Sequence, residues 1–277
     1  DQIEPAEQLH ERIRQEREAR YQQQLDDWKS AVKEWEVGGK EGKKPGKPKK
    51  PVSIDQVIEN HTNLPKDWLT LKLGEISEVT GGLTKNAKRN GLELKIPYLR
   101  VANIYANELR LDEIKEIGVT PVEAKNLRLE KGDLLIVEGN GSLDQIGRVA
   151  AWNGSITNCG HQNHLIRART YPSADYKFIL MYLLAPNGRS QIEKQAASTS
   201  GLHTLSVSKV HRLPVVLCSL PEQKEIVRLL ETQFEAIEQN EREIDAALER
   251  AEALRQSILK KAFSGQLVEQ DPDDEPA

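Results

Sequence analysis

Asparagine, glutamine, serine, threonine, histidine and the two long cations gather in four short stretches: 81–91 (GGLTKNAKRNG), 138–147 (EGNGSLDQIG), 157–164 (TNCGHQNH) and 196–209 (AASTSGLHTLSVSK). Amide and hydroxyl side chains hydrogen-bond base edges, and Lys and Arg anchor phosphate oxygens. Asn86, Asn140, Ser142, Gln162, Asn163, Thr199 and His203 are therefore candidates for reading bases. Lys85, Lys88, Arg89, Arg100, Arg148 and Lys209 are candidates for phosphate contacts. Loops collect polar residues for turn and capping reasons as well, so each of these has strand capping or surface charge as its alternative role.

Other chemistries find less footing. Cys159, His161 and His164 stand in a C-x-H-x-x-H spacing, but a fourth ligand at a suitable distance along the chain is lacking, and no metal site is expected. The run Gly139-Asn140-Gly141-Ser142 matches neither a phosphate-binding loop nor a nucleophile elbow. The acidic residues fall mostly on helix surfaces, so no carboxylate pair for glycoside chemistry is indicated. The expectation is a binding protein without catalytic residues or a directly bound cofactor.

The elements that must position these loops follow from composition. The 277 residues are 38% hydrophobic and 30% charged, a polar balance that suits one domain joined to solvated helices. Cys159 and Cys218 are the two cysteines, outside any C-x-x-C pair, and reduced thiols are expected. No stretch reaches the roughly 18 to 20 apolar residues of a membrane span and no charged-then-apolar leader opens the chain, so the location expected is cytoplasmic. The net charge of −4 is unevenly spread. Residues 60–220 hold 20 Lys and Arg against 15 Asp and Glu, a net of +5, whereas 221–277 hold 7 against 15, a net of −8. A basic middle between acidic flanks is compatible with a polyanionic partner.

Residues 1–37 are expected to be dominated by one helix from residue 6, about 45 Å long, because charge is dense and internal Gly and Pro are lacking. Leu9, Ile13, Tyr21, Leu25, Trp28, Val32 and Trp35 form its apolar stripe. Residues 38–59 contain a Lys-, Gly- and Pro-rich run that reads as a mobile linker, with a basic arm to phosphates as the other reading. Residues 60–220 form the domain, with β-type runs at 69–73, 96–104, 133–137, 147–152 and 164–169 and helices at 175–184 and 188–197. From 221 to 265 a second long helix carries Leu230, Ile237, Ile244, Ala251 and Ile258 at seven-residue steps, with Phe234, Leu248 and Leu254 beside them. Residues 266–277 are an acidic tail. The class expected is α+β: a strand-rich domain with small helices, flanked by two long helices that pair as an antiparallel coiled coil. Glu4-Pro5-Ala6 is echoed by Glu275-Pro276-Ala277, as expected of one unit of a tandem repeat.

Several stretches resemble the DNA-specificity subunit of Type I restriction-modification enzymes. Leu254-Arg-Gln-Ser-Ile-Leu-Lys-Lys-Ala-Phe-Ser-Gly-Gln-Leu267 resembles the end of that family's spacer helix, and Leu64-Pro65-x-x-Trp68 with Leu73-Gly74-Glu75 the start of its target recognition domain. Ile96-Pro-Tyr-Leu-Arg100 with Asn103, Lys131-Gly-Asp-Leu134, Ile146-Gly147-Arg148, Leu213-Pro214 and Leu220-Pro-Glu-Gln223 are similar to its further landmarks. The family has two recognition domains set apart by helices, each reading one half of a split double-stranded site. The resemblance therefore implies one recognition domain, as the second half of such a subunit: either the first half was removed, or the chain is a half-subunit that pairs with itself. It also implies modification (methyltransferase) subunits using S-adenosylmethionine, an ATP-driven restriction subunit, and a companion half or second copy of the chain. Arg100 and Arg148 match family positions rather than variable loops, which leaves a structural role open for both. The reading from another class is a coiled-coil assembly scaffold whose domain binds protein; its affinity for DNA would not fall with salt.

Overall fold

Free of internal Gly and Pro, the first helix forms as the pattern demands: α1 spans Ala6–Val37. The computed structural model describes residues 4–40, 44–48, 50–51, 64–139, 145–196 and 204–268. The chain divides into two compact units, Asp1–Val227 and Arg228–Ala277.

In the first unit the β-type runs become eleven strands among the described residues. They are β1 (Leu69–Lys72), β2 (Ser77–Gly81), β3 (Lys95–Leu99), β4 (Ile104–Tyr105), β5 (Glu108–Leu109), β6 (Lys115–Gly118), β7 (Leu134–Val137), β8 (Val149–Ala151), β9 (Gly160–His161), β10 (Leu165–Thr170) and β11 (Pro214–Leu217). A four-stranded sheet has the order β2-β10-β7-β8, with every pairing antiparallel. Strands β6-β3-β9 form a second sheet in which β3 and β9 are parallel. Two pairs, β1 with β11 and β4 with β5, complete the set.

Strand β7 reads Leu-Leu-Ile-Val without alternation because it is covered on both faces. Leu134 and Ile136 join a core with Ile166, Ala168, Phe178 and Ile179, while Leu135 and Val137 join another around Trp152 and Leu165. The Tyr-Phe-Leu-Met run is the buried helix expected, α4 (Tyr176–Leu184), and Asp175 caps it by accepting from the amides of Lys177 and Phe178. Three further short helices follow the same logic: α2 (Leu73–Ile76), α3 (Pro121–Leu127) and α5 (Pro186–Ala196). In α3, Thr120 and Glu123 cap each other and Pro121 opens the first turn. Helix α6 (Val207–His211) is capped by Ser206.

Helix α1 is fastened to this domain by its first half. Leu9 and Ile13 are fully buried in the main core. Glu16 accepts from the amide and hydroxyl of Ser173, and Arg20 pairs with Glu78 of β2 at 2.8 Å. The last helix, α7, runs Leu220–Phe263, and its first residues lie in the first unit. There Gln223 is wholly buried, donating to the carbonyls of Ser173 and Cys218 and accepting from the amide of Asp175. Trp68 donates to Glu222 at 3.0 Å and meets Phe178 edge-on, so the Leu64–Trp68 and Leu220–Gln223 motifs close one joint.

The α+β class holds. The apolar stripe of each long helix is described within its own unit. The start of the α1 stripe is spent on the domain core. In the second unit Phe234, Ile237, Ile244, Leu248, Leu254 and Ile258 of α7 are all exposed, between 45% and 63%. Within the Lys-rich stretch, residues 44–48 lie against α1, with Trp28 Nε1 donating to the Pro45 carbonyl at 3.0 Å.

Candidate nucleic-acid interface

Backbone hydrogen bonds lace the four polar stretches into one edge of the domain. The first stretch meets the third where Leu83 N donates to the His161 carbonyl (2.9 Å) and Asn163 N donates to the Leu83 carbonyl (3.0 Å). Gly82 has to be glycine here, because a Cβ would run into the carbonyls of His161 and Gln162. The third stretch meets the second where Glu138 N donates to the His164 carbonyl (2.9 Å), and the His164 ring faces the Glu138 carboxylate at 3.0 Å. The second meets the fourth where Leu205 N donates to the Glu138 carbonyl (2.6 Å). Segments separated by up to 115 positions in sequence thus share one rim. None of these contacts is visible in the spacing of the residues.

The candidates fall into three groups. Lys85, Asn86 and Lys88 are exposed on the turn around the 3-10 segment Ala87–Gly91, and Gln162 and Asn163 are half-buried beside it. Gln162 and Asn163 are held by their own backbone, Gln162 N donating to the Leu99 carbonyl, so the points from which their side chains leave the chain are fixed. A second group serves the fold. Arg89 forks onto Glu123 (2.9 and 3.0 Å) and donates to the carbonyls of Thr84 and Gly118, clasping the turn to α3. That guanidinium, foremost, holds the Glu123 carboxyl down at about 2. Arg100 donates to the Glu113 carbonyl and pairs with its carboxylate at 3.5 Å. Its backbone is tied to Asn103, whose amide reaches the carbonyls of Arg110 and Glu113. Arg148 stacks 4.8 Å from the centre of the Tyr105 ring, and Lys209 closes the fourth stretch by donating to the Thr204 carbonyl at 2.9 Å. For Arg89, Arg100, Arg148 and Lys209 the structure therefore supplies a fold partner where the sequence offered a phosphate contact. The third group, Asn140, Ser142, Thr199 and His203, lies outside the described residues.

Cys159 and His161 are packed into the core beneath the rim. Burial pushes the Cys159 thiol up to about 12, and burial with Arg167 nearby pulls His161 down to about 4. His161 is therefore neutral at pH 7, its Nδ1 lying 3.0 Å from the Leu165 carbonyl. Among the described residues no group of three His, Cys, Asp or Glu is placed to hold a metal ion.

One feature of the rim escaped the sequence reading. The β4–β5 hairpin presents Tyr105, with Arg110 over its ring at 3.7 Å and Arg148 at 4.8 Å, and Asn107 N donates to the Val149 carbonyl beside the second stretch. The signal was an aromatic residue five positions before an arginine across a two-residue turn, Tyr105-Ala-Asn-Glu-Leu-Arg110. It was hidden because Arg148, the other half of the stack, comes from a distant segment just before β8.

Residues 65–250, two thirds of the chain, match the family described as the Type I restriction modification DNA specificity domain. The Type I restriction enzyme EcoKI specificity subunit of Escherichia coli K12 is 31% identical over 200 residues, 70% of this chain and 42% of that protein. The StySPI specificity subunit of Salmonella potsdam is 32% identical over 207 residues, 73% of this chain and 44% of that protein. The chain thus spans less than half the length of these curated relatives. A solved structure described as "Structural basis underlying complex assembly and conformational transition of the type I R-M system" shares the fold, with a TM-score of 0.52 at 21% identity over 95% of this chain and 58% of its counterpart. With a recognition-domain match running from Pro65 into the last helix, this chain belongs to the Type I restriction-modification DNA specificity family.

Proposed function

We propose that this chain is a non-catalytic specificity subunit whose recognition domain reads one half of a split double-stranded DNA site through the laced rim. The observation that carries the reading is the convergence of four polar stretches on one edge, anchored through their backbones and bordered by exposed Lys85 and Lys88. A rigid scaffold with variable polar loops at one end is the arrangement by which sequence is read without altering the fold. Phosphate contacts set register, and amides such as Gln162 and Asn163 supply direct readout.

Methylation of adenine and restriction then belong to partner subunits, which carry S-adenosylmethionine and ATP. The exposed apolar stripe of α7, a helix about 66 Å long, is the surface offered to a modification subunit, a companion half or a second copy. Among the described residues no helix is long and apolar enough to cross a membrane. The test is binding of the chain, co-purified with its modification subunits, to a library of duplexes across a salt series. The expected result is preference for one half-site and a linear fall of log affinity with log salt. Absence of sequence preference at moderate salt, or an affinity flat in salt, overturns the reading.

A further inference from the structure

The sequence x-Lys-Pro occurs three times in succession at 43–51: Lys43-Lys44-Pro45, Gly46-Lys47-Pro48 and Lys49-Lys50-Pro51. A polyproline II helix has three residues per turn, so this repeat puts its prolines along one edge and its second-position lysines along the next. Exposure follows the same period. Pro45, Pro48 and Pro51 are half-buried, whereas Lys44, Lys47 and Lys50 are exposed.

The surface against which the prolines pack has a matching repeat. Tyr21, Trp28 and Trp35 stand at strict seven-residue steps on α1, and all three are half-buried together with Leu25 and Val32. The Lys44 ammonium lies 5.9 Å from the centre of the Trp35 ring, and the Lys47 ammonium 5.8 Å from that of Trp28. Between these rungs the Trp28 indole donates to the Pro45 carbonyl. Three strap residues thus correspond to seven helix residues, and the two segments run in opposite directions. The repeats are commensurate: one polyproline turn rises about 9.3 Å and one heptad about 10.5 Å. On the same half of α1 the acidic Asp26, Asp27, Glu34 and Glu36 outnumber Lys29 and Lys33, although Asp26 is paired with Lys29.

We propose that the outer half of α1 is a docking site for a cationic polyproline segment, filled by this chain's own (x-Lys-Pro)3 strap, with Lys50 on Tyr21 as its third rung. Each cation–π rung is weak at an exposed site. Repetition and the short tether from Val37 to Lys44 make the set effective, because the strap binds intramolecularly. The strap covers an aromatic face that two tryptophans would otherwise expose. A second helix reaches that face only when the strap leaves it.

The test uses the full chain and its four indole N–H resonances, with Trp28 assigned by Trp28→Phe. The Trp28 indole proton is expected to exchange with solvent about tenfold more slowly than a solvent-exposed indole. Replacing Pro45, Pro48 and Pro51 together by Gly abolishes the difference. Trp68 and Trp152 report the integrity of the domain, and their exchange stays unchanged. For the third rung, amine labelling of Lys50 quickens in Tyr21→Ala and is restored in Tyr21→Phe. The proposal is overturned if the Trp28 proton exchanges as fast as an exposed indole in the unaltered chain, or if loosening the strap leaves it protected. Lys50 labelling that is indifferent to Tyr21→Ala removes the third rung.

Discussion

Replacing Arg89 by Ala separates a fold role from a DNA role. Its side chain is 14% exposed and makes four donor contacts, two of them to a Glu123 carboxylate that is 32% exposed. Removing one partner of a fully buried pair costs about 3–5 kcal/mol. The partial exposure of Glu123 brings the expected loss to about 2 kcal/mol. The pH dependence carries a second signature. Glu123 is held at about 2 against an ordinary 4.5, so the pair's contribution is complete above pH 4.5 and disappears as pH falls toward 2. At about 1.4 kcal/mol per unit the shift caps this contribution near 3 kcal/mol, and solvent screening reduces it to about 1–2 kcal/mol. Urea unfolding at pH 7 and pH 3 measures both quantities. Arg89→Ala is expected to be less stable at pH 7 and to lose less stability than the unaltered chain on acidification. Part of the slope survives, because Thr120 also donates to Glu123. A variant within about 0.5 kcal/mol of the parent at pH 7, but deficient in DNA binding, would refute the clasp and return Arg89 to the phosphates.

Lys88→Ala should weaken binding to cognate and random duplexes alike and lower the salt slope by about one. Gln162→Ala should relax preference at one base pair, visible in the library selection; an equal loss on random DNA sinks its role in readout. Gly82→Ala should part the first and third stretches by pushing on two carbonyls, so that half-site preference and the melting temperature both fall. Gln223→Leu should cost about 3 kcal/mol or more in urea unfolding, since it strands the buried polar groups of Ser173, Cys218 and Asp175. Both thiols should resist iodoacetamide at pH 8 in the folded chain and react in urea, because burial pushes each up to about 12.

The sequence by itself determined the long helices, the strand-rich middle, the polar stretches and the family. These rest on periodicity, glycine and proline punctuation and local motifs, which are properties of neighbouring residues. It also marked Trp68 and Gln223 as landmarks without saying why. Only the tertiary structure showed that they close one joint, through hydrogen bonds spanning 154 positions for Trp68 and 48 to 50 for Gln223's contacts with Asp175 and Ser173. The same limit governs the rim. Lys88 and Arg89 are adjacent and chemically alike in the sequence, yet one is exposed and the other is fastened to Glu123, 34 positions away. Which of two neighbouring cations is left for a phosphate depends on where a distant carboxylate is placed. The α7 stripe has the converse character: its heptads were legible and Ile237, Ile244 and Leu248 are exposed within the second unit, and a heptad states that a helix needs a partner without naming it.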